Sequence, residues 1–258
     1  MNKQLFILLF ALLSNYSLVY AYNFEVDGVY YSITDSKKQT VEVTHNADTV
    51  NTYQLEKYSI PDKVSYNNKI FIVNRIGDRA FIGCDQVVSI NLPESIKSIG
   101  NSSFGSCKKL SHIHLPNSIS KIDIFAFAMC EHLESIILPS QIDSISDALF
   151  AGCLKLKHIN IPDGVRYIGQ KAFVLCRNLD SVSIPKSVVD LNGCATFLGC
   201  SNLKKILVSW PQPVPIHPFM FEDIGAKQCK LVVPKGMLPK YRKAKGWKDF
   251  KEIEESNF

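Results

Sequence analysis

Apolar and polar residues follow a pattern that returns with one period along much of the chain. Ile76, Ile99, Ile122, Ile145, Ile168 and Leu191 stand twenty-three residues apart, and Phe81, Phe104, Phe127, Phe150 and Phe173 repeat at the same spacing. Cys84, Cys107, Cys130, Cys153 and Cys176 form a third column, and Pro93, Pro116, Pro139, Pro162 and Pro185 a fourth. Phe197 and Cys200 continue two of these columns after a one-residue insertion. Independent columns sharing one period define a structural repeat, and a repeat of this length is one turn of a solenoid.

The period changes within each turn, and the change places the elements. From Leu110 to Leu115 the apolar positions end in strict alternation, so Ile113 and Leu115 share one face of a short strand and His112 and His114 the other. Pro116 ends that strand, having no N–H to give to a ladder. Between Gly100 and Cys107, Phe104 and Cys107 have the spacing of one helical turn facing inward. Ala80, Ala126 and Ala172 precede the Phe, where a small residue lets neighbouring turns approach. One turn alone buries too little to offset the entropy of ordering it, so stacking must supply the remaining hydrogen bonds and packing.

These readings predict a mainly β solenoid with short helical turns and a parallel sheet on one face. Six rungs span residues 76–209. A β-rich N-terminal cap covers residues 22–75, with strands at Val26 to Ile33 and Thr40 to Thr44 and a hairpin at Tyr66-Asn-Asn-Lys69. An α/β C-terminal cap covers residues 210–258, with a strand at Lys230 to Val233, a turn at Pro234-Lys-Gly236 and a short helix at Leu238 to Ala244. Pro239 is acceptable in that helix because it falls in the first turn.

The consensus Ile-Gly-x-x-Ala-Phe-x-x-Cys-x-x-Leu-x-x-Ile-x-Leu-Pro-x-x-Ile resembles the BspA-type leucine-rich repeats of bacteria, which also occur in treponemal and some protist surface proteins. Phe24-Glu-Val-Asp-Gly-Val-Tyr-Tyr at one end, and Leu231-Val-Val-Pro-Lys-Gly with Tyr241, Trp247 and Phe250 at the other, resemble the flanks of that family. The sixth rung departs from it, with Asn192-Gly-Cys194 inserted and no Pro at the expected place. The resemblance implies a leucine-rich-repeat solenoid with a role in recognition, such as adhesion to a matrix or cell surface. It also implies that the C-terminal aromatics pack the cap.

An apolar fraction of 46% and a charged fraction of 21% are those of an ordinary globular protein. Lys3, the apolar run Leu5 to Leu13, and Val19 and Ala21 read as an export signal at residues 1–21, cleaved after Ala21; a retained N-terminal anchor is the alternative. The run is shorter than the roughly 20 residues a bilayer takes, and no later segment has transmembrane length. The expectation is an exported protein, secreted or held at the cell surface, with the periplasm as alternative, acting as a monomer.

Candidate chemistry concentrates on the sheet. Its outward columns are Ser89, His112, Ser135, His158 and Ser181, and Asn91, His114, Ile137, Asn160 and Ser183. These are the expected contacts to a protein or glycan partner. A hydrolase reading of Ser and His with Asp180 lacks an elbow for an oriented base and an oxyanion hole, so no catalytic residue and no enzyme activity are expected. His112, His114 and His158 spread too far to ligate one metal, since two rungs span about 10 Å, and no cofactor is expected. The basic tail (Lys235, Lys240, Arg242, Lys243, Lys245, Lys248, Lys251) is followed by Glu252, Glu254 and Glu255, which argues against nucleic acid. Asn101-Ser-Ser103 matches a glycosylation acceptor.

Stacked side chains one rung apart have Cβ atoms about 4.8 Å apart, longer than the roughly 3.5–4.5 Å a disulfide takes. The cysteine column therefore predicts buried free thiols, and leaves Cys194 and Cys229 as the one candidate bridge. The runner-up to a recognition protein is an envelope scaffold with no host ligand.

Overall fold

The computed structural model describes residues 22–46, 52–191, 193–224 and 229–257. The export signal expected at residues 1–21, and Asn192 of the insertion, lie outside the described residues. The chain opens with an antiparallel meander of β1 (Phe24–Val26), β2 (Val29–Asp35) and β3 (Thr40–Thr44). After β4 (Lys57–Ser59) comes the hairpin of β5 (Lys63–Tyr66) and β6 (Lys69–Ile76). Its loop residues Asn67 and Asn68 are both left-handed, at φ 49° and 58°, the geometry of a two-residue hairpin that Asn tolerates.

From β6 onward each turn feeds two parallel strips. One holds β7 (Ser89–Asn91), β9 (His112–His114), β11 (Ser135–Ile136), β13 (His158–Asn160), β15 (Ser181–Ile184) and β16 (Lys205–Val208). The other holds β8 (Ser98–Ile99), β10 (Lys121–Ile122), β12 (Ser144–Ile145) and β14 (Tyr167–Ile168), and begins on β6. The first strip runs past residue 209 without a break, through β17 (Lys230–Pro234) to β18 (Glu252–Ser256). Pairing on both strips is interrupted at one place, between β9 and β11 and between β10 and β12. The solenoid thus has a seam, and Ile113 beside it is half-buried where Ile90, Ile136 and Ile159 are buried.

The stretch carrying Phe and Cys turns both inward, as its spacing predicts, but continues as successive turns, not helix. The N–H groups of Arg79, Phe81 and Gly83 donate to Asn101, Ser103 and Gly105 of the next turn, at 2.8, 2.7 and 2.7 Å. Intervening amides close local turns, as Cys107 does onto the Phe104 carbonyl at 3.1 Å. Aiming every second amide along the axis requires alternating hand. Two left-handed residues recur in each turn: Arg79 and Gly83, Ser102 and Ser106, Phe125 and Met129, Ala148 and Gly152, Lys171 and Leu175, Ala195 and Gly199, with φ between 50° and 73°. The one α-helix among the described residues is α1 (Leu238–Tyr241).

Phenylalanines stack down the centre. Phe81, Phe104, Phe127, Phe150, Phe173, Phe197 and Phe221 lie with ring centroids 5.2–5.7 Å apart and planes nearly parallel. Tyr53 closes the stack at 4.3 Å from Phe81, and Trp247 meets Phe221 at 5.7 Å. Tyr241, Trp247 and Phe250 are buried, so the C-terminal aromatics do pack that end, and the Trp247 Nε1–H donates to the Val214 carbonyl at 2.8 Å.

The cysteines back this stack as free thiols. Cys107, Cys130, Cys153, Cys176 and Cys200 each donate Sγ–H to the Phe carbonyl one turn earlier, at 2.9–3.2 Å. Burial pushes these thiols up, and pushes Cys84 up to about 11. Cys194 and Cys229, the candidate bridge, are also free. They lie on different sides of the solenoid: the Cys194 carbonyl accepts the Lys171 N–H on the turn side, and Cys229 leads directly into β17 of the first strip. Thiol counting in denaturant is expected to return all eight cysteines without reductant. More than two oxidised cysteines would break this account of the column.

Candidate recognition face

The first strip presents its alternate residues to solvent because the apolar ones are drawn onto the phenylalanine stack. Ile90, Ile136, Ile159, Val182 and Ile206 point inward and are buried. Their neighbours form the two expected columns, in register from turn to turn. Lys57, Ser89 and His112 align in one half; Ser135, His158, Ser181, Lys205 and Lys230 align in the other. In the second column Ser59, Asn91 and His114 align, as do Asn160, Ser183, Leu207 and Val232. Asn91, His112, His114, Ser135, His158, Asn160 and Ser183 are exposed, Ser89 and Ser181 half-buried, and Ile137 is 83% exposed.

The seam shapes this face. A shallow open depression of about 700 Å³ crosses it, lined by Lys57, Ser59, Ser89, Asn91, Ser111, His112, His114, Ser135 and Ile137 among others. Lys57, Tyr58 and Ser59 are the part that sequence reasoning missed. The signal was present in Tyr58-Ser-Ile60-Pro61, which copies the Ile-x-Leu-Pro of the repeats, but the hairpin of β5 and β6 displaces it from the period.

Side-chain chemistry on the face is local. Ser111 Oγ and His112 Nδ1 are 2.8 Å apart. Asp180 Oδ1 lies 2.9 Å from His158 Nδ1 and accepts the Ser181 hydroxyl at 2.9 Å. Ser181 therefore donates to the carboxylate and not to the imidazole, which is not the order of a Ser–His–Asp relay. Lys157 binds Glu134 at 3.0 Å, and that hydrogen bond holds Glu134 below the usual carboxylate range. At the far end Lys230 contacts Glu254 at 2.8 Å and Glu252 at 3.9 Å. Among the described residues no group of three or more His, Cys, Asp or Glu side chains gathers to hold a metal ion.

Two other sequence features resolve into structure. Asn101 of the glycosylation tripeptide donates its amide N–H to Asp78 Oδ1 and its side chain to Oδ2, at 3.1 and 3.3 Å, and Ser102 and Ser103 are buried beside it. A Cβ on Gly100 would meet Asp78 Oδ1 at 2.3 Å, which explains the glycine after Ile99. In the basic tail the cations are exposed while the aromatics are spent on the cap, so no aromatic platform accompanies them.

Parallel turns around a ring stack, with one open polar face, define a repeat protein of the recognition or scaffold kind. The chain belongs to the BspA type leucine rich repeat family, whose repeat region matches residues 74–204 in six copies. Among solved structures it is similar to a leucine-rich repeat protein from Bacteroides ovatus ATCC 8483. Identity there is 27% and the TM-score 0.69, over 92% of this chain and 68% of that one. Two others share the fold. The T. pallidum leucine rich repeat protein is 24% identical with a TM-score of 0.64, over 85% of this chain and 94% of that one. A leucine rich cell surface protein from Faecalibacterium prausnitzii A2-165 is 19% identical with a TM-score of 0.60, over 90% of this chain and 72% of that one. No curated protein matches the chain. Proteins of this repeat type are typically surface-exposed or secreted, and generally bind or scaffold. No helix among the described residues is long and apolar enough to cross a membrane.

Proposed function

We propose that this chain is an exported, non-enzymatic recognition protein that works as a monomer and binds a protein or glycan partner through its sheet face, in an adhesive role. The observation that carries the reading is the polar double column crossed by the depression, with Ser89, Asn91, His112, His114, Ser135, Ile137, His158, Asn160, Ser181 and Ser183 as its contacts. Proteins use such extended repeat surfaces for binding. The typical surface exposure or secretion of the family supports a surface location, and the basic start and apolar run of residues 1–21 support export.

The test has two parts. Protease added to intact cells should digest the protein, or the culture medium should contain it; protection until lysis would turn the reading towards an envelope scaffold. His114→Glu with Ser135→Lys should then lower affinity for a partner found on matrix and glycan panels by about thirtyfold or more. Both side chains are exposed, so stability should stay within about 0.5 kcal/mol. A partner indifferent to the double substitution binds elsewhere.

A further inference from the structure

The exposed face has a rhythm that the bare repeat does not require. Its first column reads Ser89, His112, Ser135, His158, Ser181, so a histidine stands on every second turn; the seam runs between His112 and Ser135, and the ring stack holds those successive turns 5.2 and 5.7 Å apart. The Ser111 hydroxyl engages Nδ1 of His112 and the Asp180 carboxylate engages Nδ1 of His158, so Nε2 is the nitrogen that each exposed ring keeps for a ligand, and it donates to an acid group when the ring is the imidazolium.

The surroundings favour an acidic ligand. Neither column contains a carboxylate from Lys57 and Ser59 as far as Lys230 and Val232. Of the carboxylates standing beside the face, Asp180 is engaged by His158 and Ser181 and Glu134 by Lys157, while Glu56 is exposed next to Lys57. Lys57 stands at one end of the column, and Lys205 and Lys230 follow Ser181 towards the other, where Glu252 comes next. Between them lie imidazole, hydroxyl and amide donors, with Ile137 as the exposed apolar residue of the second column and a half-buried Tyr58 at the edge of the depression, and no deep pocket of the kind that anchors a folded protein partner. A periodic row is best met by a ligand that is itself periodic.

Resting on the sheet-face reading above, we propose that this column binds an acidic polysaccharide laid along the solenoid axis, with acid groups on alternate sugars seated at His112 and His158. A β-linked sugar advances by about one turn of the solenoid, so acid groups on every second sugar recur at the histidine spacing. Ser135 meets the intervening sugar, and the depression beside His112 and His114 takes the neighbouring unit of the chain.

Titration calorimetry with hyaluronan oligosaccharides, in which glucuronate alternates with an N-acetylated sugar, tests this directly. The hexasaccharide should bind at least about tenfold more tightly than the disaccharide, because only the longer chain reaches both imidazoles. His112→Gln and His158→Gln should each remove that gain while leaving thermal unfolding unchanged. A chitin hexasaccharide of the same length, which lacks acid groups, should bind no better than the hyaluronan disaccharide. Equal binding of the chitin chain, preference for poly-glutamate, a length gain that survives both substitutions, or no saccharide binding would each overturn the proposal. Poly-glutamate or chitin binding that is lost in His114→Glu would keep the sheet face as the recognition surface and remove only the acidic polysaccharide. Hyaluronan binding untouched by His114→Glu with Ser135→Lys would remove both.

Discussion

Replacing Phe127 by alanine should lower the free energy of unfolding by about 3–5 kcal/mol, read from urea denaturation followed by circular dichroism. The ring is fully buried between Phe104 and Phe150, with centroids 5.2 and 5.7 Å away, so truncation leaves a cavity that neighbouring rigid turns cannot close. Position adds to the cost. Both strips interrupt their pairing between the turn carrying Phe104 and the turn carrying Phe127. Across that seam the turn-side amides of Ser102, Phe104 and Ser106 still donate to Ile124, Ala126 and Ala128, at 3.0, 2.9 and 2.7 Å. The ring stack and the Cys130 thiol, donated to the Phe104 carbonyl at 3.2 Å, accompany those bonds. Stability in such arrays is a sum over turns and the interfaces between neighbours, so weakening the poorest interface should split the unfolding transition. Phe173→Ala removes the same ring where β13, β15 and β16 pair continuously, and should cost a similar amount without splitting it. If both variants give one sharp transition, the seam carries no special weight.

The contrast between the strips and the turns shows what a sequence reveals. The strands were legible because period-two alternation and a terminal Pro depend only on side chains and one missing N–H. The sheet-face columns were legible for the same reason, since His112 and His114 can only point away from Ile113. The turn side was not, because Phe and Cys three apart fit both a helical turn and a chain of alternating turns. What separates them is where the intervening amides go, and those bonds reach residues of the next turn. Left-handed Phe125, Met129 and Leu175 carry no local mark of that conformation, which glycine would have provided. The ends were partly hidden for another reason. β4 and Phe221 obey the repeat in space but lie beyond insertions that break its period. The seam is invisible in sequence: His112-Ile-His-Leu-Pro116 and Ser135-Ile-Ile-Leu-Pro139 fit the template as well as their neighbours do. The partner of His158 was hidden in part too, because Asp180 arrives from the following turn.

Alkaline pH should destabilise the protein steeply, and the cysteine column is a main cause. Burial raises the pKa of Cys107, Cys130, Cys153, Cys176 and Cys200 above the ordinary thiol value of about 9. The folded state keeps each Sγ–H, donated to a Phe carbonyl, while the unfolded chain releases it at the ordinary value. Below that value both states are protonated and the stabilisation is fully present. Above it the unfolded state binds fewer protons, so stability falls with rising pH until the folded thiols themselves ionise. Each thiol contributes a slope approaching about 1.4 kcal/mol per pH unit, so five together approach about 7. Tyr31 and Tyr53, also raised by burial, add to the loss at still higher pH. Their share is removed by comparing two proteins that both keep them. Unfolding free energies of the wild type and Cys130→Ala should run parallel from pH 6 to 8, where neither state ionises a thiol. Above pH 9 the lines should converge, the variant's slope being shallower by about one thiol's worth. Lines that stay parallel through pH 10 would mean that Cys130 ionises as readily in the folded array as in the open chain. The column would then be lined by something other than dry thiols hydrogen-bonded to the phenylalanine carbonyls.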